Sequence, residues 1–93
     1  MSYLKEKLSG ILIRINFHEE NANIRLASEA DAIYRLSLIP DQFADKMNEF
    51  KDLILKTKKL YGDGVKIYKF TGMSNKKAVE YIKLLHAVYD SID

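Results

Sequence analysis

The chain has 93 residues, 47% of them apolar, a net charge of +2 and no cysteine. That size holds one domain, and the apolar share argues against disorder. The missing cysteines exclude disulfides and thiolate metal sites. The N-terminal stretch is interrupted by Lys5, Glu6, Lys7 and Arg14. No segment approaches the roughly 18–20 apolar residues that a membrane span needs. A soluble, cytoplasmic protein is expected.

The charge is unevenly spread. Residues 53–83 hold eight lysines against Asp63 and Glu80, whereas the segments on either side are each net acidic. Such asymmetry can mark a surface for an anionic partner, although a solvated lysine-rich helix end gives the same pattern.

Taken in chain order, residues 3–8 suggest a helical turn or two before Gly10. ILIRINF then alternates, with Ile11, Ile13, Ile15 and Phe17 on one face and Leu12, Arg14 and Asn16 on the other. A period of two predicts a half-buried strand over 11–17. After the polar turn HEENAN, residues 23–27 place Ile24 and Leu26 inward and Arg25 outward. After SEADA, residues 33–38 alternate again, with Tyr34, Leu36 and Leu38 opposite Ile33, Arg35 and Ser37. Three strands joined by short polar turns predict an antiparallel meander.

Pro40 closes the third strand and Asp41 suits the N-cap of a long helix. Phe43, Met47, Phe50, Ile54 and Tyr61 form one stripe, and Gly62 is placed as its C-cap. Residues 65–70 read as a fourth strand. Ser74 caps a second helix whose buried side holds Ala78, Tyr81, Ile82, Leu85, Val88, Tyr89 and Ile92. The predicted fold is α+β: β-β-β-α-β-α, a four-stranded sheet with two helices packed on one face.

That packing leaves one sheet face open. The chain's three arginines, Arg14, Arg25 and Arg35, all fall on its outward positions. One register sets Arg25 directly opposite Arg35, and like charges so placed destabilise a strand pair unless an anion relieves them. Solvation is the plainer alternative, and so is pairing with Glu29 and Asp31 in the second turn. Lys66, Tyr68 and Phe70 join the open face if Val65 and Ile67 pack inward. Rings and guanidinium planes on a sheet are the parts of a single-stranded nucleic-acid platform. If Tyr68 and Phe70 pack inward, only the charge remains.

Lys76 and Lys77 add cations to the first turn of the second helix, where the dipole favours an anion. His18, Glu19 and Glu20 lie together in one turn but lack a further metal ligand. The serines have no nucleophile elbow, and no phosphate-binding loop is present. No catalytic residue, cofactor or metal is therefore expected, and the protein is read as a non-enzyme.

Two functions follow. One is nucleic-acid binding, single-stranded for preference, through the basic sheet face. The binding set would be Arg14, Arg25, Arg35, Lys66, Tyr68, Phe70, Lys76 and Lys77. The other is a regulatory adaptor, subunit or inhibitor that occludes an acidic protein surface. A homodimer is one version of it, with Leu12, Ile33 and Phe70 as its apolar centre. Burial of Tyr68 and Phe70 separates the two: buried rings favour protein contact.

Overall fold

The structure is a computed structural model that describes residues 3–17, 21–56, 58–62, 65–70 and 73–92, with the backbone alone for Phe17, 58–62 and 65–69. Wherever side chains are described, every regular element is a helix, and the fold is all-α. Among the described residues the expected α+β sheet of four strands is not formed, and the meander over 11–17, 23–27 and 33–38 is the part that fails.

Helix α1 runs unbroken through Tyr3–Phe17. Leu4, Leu8, Ile11, Leu12 and Ile15 are all buried, a spacing that belongs to one helical stripe. Ile11 and Ile15 fit both a helix and a strand, so they do not discriminate. The residues between them do: Leu12 is buried and Ile13 is 53% exposed, the reverse of the alternating pattern. Gly10 does not break the helix. It costs about 1 kcal/mol relative to alanine, less than the roughly 1.5–3 kcal/mol that each large buried side chain returns.

Helix α2 is Ala22–Ser28, capped by Asn21, whose side chain accepts the Ile24 N–H at 3.1 Å. Helix α3 is the short Ala30–Tyr34. Ala22, Leu26, Ala27, Ala30 and Ile33 are buried, so one apolar stripe continues across the break at Glu29. In the link to the next helix Leu36 is buried. Leu38 is 83% exposed and has a φ of 61°, in the left-handed region that side chains resist. Tyr34, Leu36 and Leu38 therefore do not share a face.

The two long helices lie close to their sequence reading. The Pro40 carbonyl accepts the Phe43 N–H at 2.9 Å where α4, Asp41–Lys56, begins. Met47, Phe50 and Ile54 are its buried residues. The helix stops at Lys56, short of the expected cap at Gly62. Lys58–Gly62 (β1) and Val65–Lys69 (β2) instead run as an antiparallel backbone hairpin. Asp63-Gly64, the dipeptide between them, is a strong hairpin signal that a helical reading passes over. Ser74 caps α5, Asn75–Ser91, accepting the Lys77 N–H at 3.1 Å. Ala78, Tyr81, Leu85 and Val88 face the core.

The centre of the core is aromatic. Phe50 stacks on Tyr81 with ring centroids 4.2 Å apart and meets Phe70 at 6.5 Å. Asn23 ties the chain end of the hairpin to α2. Its amide donates to the carbonyls of Met73 (2.6 Å) and Phe70 (3.4 Å), and its backbone N–H meets Asn75 Oδ1 at 3.4 Å.

Candidate functional site

Without a sheet face, the surface features that remain are crevices between helices. The first lies between α1 and the α3 end of the chain. It has a volume of about 240 Å³ and is lined by Tyr3, Lys7, Ile11, Arg14, Arg35 and Leu36 among others. Residues 3, 7, 10 and 14 recur on one side of α1, which brings Tyr3, Lys7 and Arg14 to the same wall. Lys7 Nζ stands 5.3 Å from the Tyr3 ring centroid. Gly10 leaves room on that wall: a β-carbon there would lie 3.2 Å from an Arg14 terminal nitrogen.

Both arginines are backed by carboxylates from the α2–α3 junction. Arg14 Nε meets Glu29 Oε1 at 2.6 Å, and Arg35 Nη2 meets Asp31 Oδ2 at 3.0 Å. These are the two acids that the sequence offered as partners. Neither lines the crevice, whose own charged lining is three cations.

The second crevice runs between α4 and α5, which lie antiparallel above the Phe50–Tyr81 stack. Its two stretches, about 500 and 550 Å³, share Glu49, Lys77 and Tyr81 as a waist. Lys77 Nζ lies 3.9 Å from Glu49 and 3.8 Å from Glu80. The Tyr81 hydroxyl donates to Glu49 Oε1 at 3.2 Å. Burial first, then that hydrogen bond and the charges of Glu49 and Glu80, push the phenol up to about 12. Beyond the waist, Phe43, Leu84 and Ala87 line one stretch, flanked by Lys46 and Lys83. Leu53 and Met73 line the other, flanked by Lys56 and Asp52.

The residues expected to bind are thus divided. Arg14 and Arg35 come together, on helices rather than strands. Arg25 lies on α2 and does not line their crevice; its Nε is buried with no hydrogen-bond partner among the described residues. The cross-strand Arg25–Arg35 pair does not form. Phe70 is 5% exposed and belongs to the core. Leu12 and Ile33 are also buried, so no exposed apolar centre of the expected kind exists. Lys66 and Tyr68 sit opposite Tyr61 and Lys59 in the hairpin register, and their side chains lie outside the described residues. Lys76 is exposed, and the charge of Lys77 is offset by its two glutamates. Lys7 was not among the expected residues, because its spacing to Arg14 has meaning only if 3–17 is one helix.

His18 and its neighbours lie outside the described residues, and His86 is exposed on α5. Among the described residues no group of three or more histidines or acids is placed to hold a metal ion. No helix among them is long and apolar enough to cross a membrane. No protein-family model, no curated protein and no solved structure matches the chain.

Proposed function

We propose that the protein is a small non-enzymatic binding domain, an adaptor, subunit or inhibitor, whose α4–α5 crevice takes an acidic amphipathic helix of a partner protein. One observation carries this reading. Lys46 and Lys83 flank the apolar stretch of Phe43, Leu84 and Ala87, and neither forms an ion pair among the described residues. Cations at the rim of an apolar groove complement an apolar stripe bordered by carboxylates. The walls are helices of 16 and 17 residues. At 1.5 Å per residue they run about 24 Å, the length of a helix of roughly 16 residues. Burial of Phe70 agrees with protein contact, since that ring is withdrawn from any stacking platform.

The test uses two labelled 16-residue helical peptides, one with leucines at i, i+3, i+4 and i+7 and glutamates beside them, the other with lysines instead. Fluorescence anisotropy should show the acidic peptide binding more tightly. The double variant K46E/K83E should reverse the preference, with its helical circular dichroism unchanged. Equal binding of the two peptides, or none of either, would sink the proposal. A shift to a stable dimer by light scattering, abolished in the double variant, would replace the partner with a second copy of the chain.

A further inference from the structure

The α1–α3 crevice points to a second site with a different ligand. We infer that Lys7, Arg14 and Arg35 bind the phosphate of a nucleotide, with its base or sugar on the apolar lining. The inference does not rest on the α4–α5 reading.

The arrangement of the arginines carries it. Glu29 engages Arg14 through Nε, which leaves both terminal nitrogens of the guanidinium for another acceptor. Asp31 engages Arg35 through Nη2, a member of both of its parallel N–H pairs, so Arg35 offers the crevice single N–H donors and a charge, and the open fork is the terminal pair of Arg14. A guanidinium fork of two parallel N–H groups matches the oxygens of a phosphate. Glu29 holds Arg14 from outside the crevice, whereas the Arg35–Asp31 pair is exposed on both sides and holds its arginine more loosely. The Glu29 side chain is only 12% exposed, so Arg14 is fixed from a nearly buried anchor. Gly10 removes the side chain that would otherwise crowd the guanidinium against α1.

The rest of the lining decides against a bare anion. The buried Leu4, Ile11 and Leu36 with Ala32 form an apolar floor that shows little surface, and Tyr3, 62% exposed, stands as a ring at its edge. A simple inorganic ion would leave the Tyr3 ring unused. A phosphate ester with a planar body would fill both parts, the charge on the cations and the ring on Tyr3. The same chemistry is offered by a free mononucleotide and by one unit of a single strand.

Three probes separate the sources: labelled oligothymidylate of ten residues, thymidine monophosphate and inorganic phosphate, each titrated at low and moderate salt. The oligonucleotide should bind, more weakly at the higher salt. Inorganic phosphate should compete at least tenfold less well than the mononucleotide. Competition by the mononucleotide supports the site as a single-nucleotide site, and binding of the oligonucleotide alone supports a strand as its source. In R14A/R35A the affinity should fall tenfold or more, and R35K should recover part of it. The acidic 16-residue peptide should not displace the mononucleotide, which keeps this site distinct from the α4–α5 crevice. If none of the probes binds at low salt, or if R14A/R35A binds as well as the parent, the inference is overturned.

Discussion

In the α1–α3 crevice Arg14 is anchored by Glu29 and Arg35 is paired with the exposed Asp31, both outside the crevice, whereas Lys46 and Lys83 stand at the rim of the α4–α5 crevice with no such partner among the described residues. The difference is one of preorganisation. An arginine already fixed by Glu29 gives up little rotamer freedom when a ligand arrives. A free lysine gives up to about 2 kcal/mol of side-chain entropy, so its rim charge guides encounter more than it strengthens the bound state. Affinity at α4–α5 has to come from Phe43, Leu84 and Ala87. At α1–α3 the charges themselves can supply it.

The largest test of this contrast removes the floor of one crevice. Phe50→Ala deletes the ring between Phe70 and Tyr81 and should cost about 3–5 kcal/mol in denaturant unfolding. If the five helices share one core, nucleotide and peptide binding should be lost at the same denaturant concentration. Separate midpoints would show that the two crevices belong to separate units.

A smaller effect reports on the waist. The folded protein holds the Tyr81 proton more tightly than the unfolded chain, with a phenol raised from 10 to about 12. The stabilisation is complete below pH 10 and is lost as pH rises from about 10 to about 12. Its size is on the order of 2 kcal/mol. Thermal unfolding across this range should show the parent losing more stability than Tyr81→Phe, which keeps the stacked ring without the hydroxyl. Equal slopes would mean that burial, together with Glu49 and Glu80, does not hold the phenol neutral.

The smallest effect sharpens the other side of the comparison. Gly10→Ala removes a helix-interior glycine and should raise stability by about 0.5–1 kcal/mol. The same change pushes on the Arg14 guanidinium and should weaken nucleotide binding a few-fold. A variant that gains stability with unchanged nucleotide affinity would show that the position of Arg14 does not matter to the site.

Sequence reasoning reached α4 and α5 because each carries a long stripe of one period. Met47, Phe50 and Ile54 suit no strand, and Ser74 marks the start of α5. It missed α1 to α3 for a physical reason. Over seven residues, ILIRINF satisfies both periods, and the decision rests on Leu4 and Leu8, which lie on the far side of a glycine taken as a stop. In α2 and α3 the buried residues are largely alanines, too small to make a strong stripe. The site suffered accordingly. Arg14 and Arg35 were visible as candidates, and Glu29 and Asp31 as their partners, but the surface they share was assigned to a sheet. Lys7 could not be found until α1 was continuous.

Asn23 has a consequence for how the chain reaches this structure. Its bonds to Phe70, Met73 and Asn75 join residues 47, 50 and 52 positions apart. Closing a loop of about 50 residues costs roughly 3–4 kcal/mol of chain entropy before any contact repays it. The long helices can form early from local contacts, but α2 and α5 meet only after that closure. The clamp therefore sits at a late, entropically dear step. Once made, it holds by backbone carbonyls that no change of side chain at Phe70 or Met73 can remove.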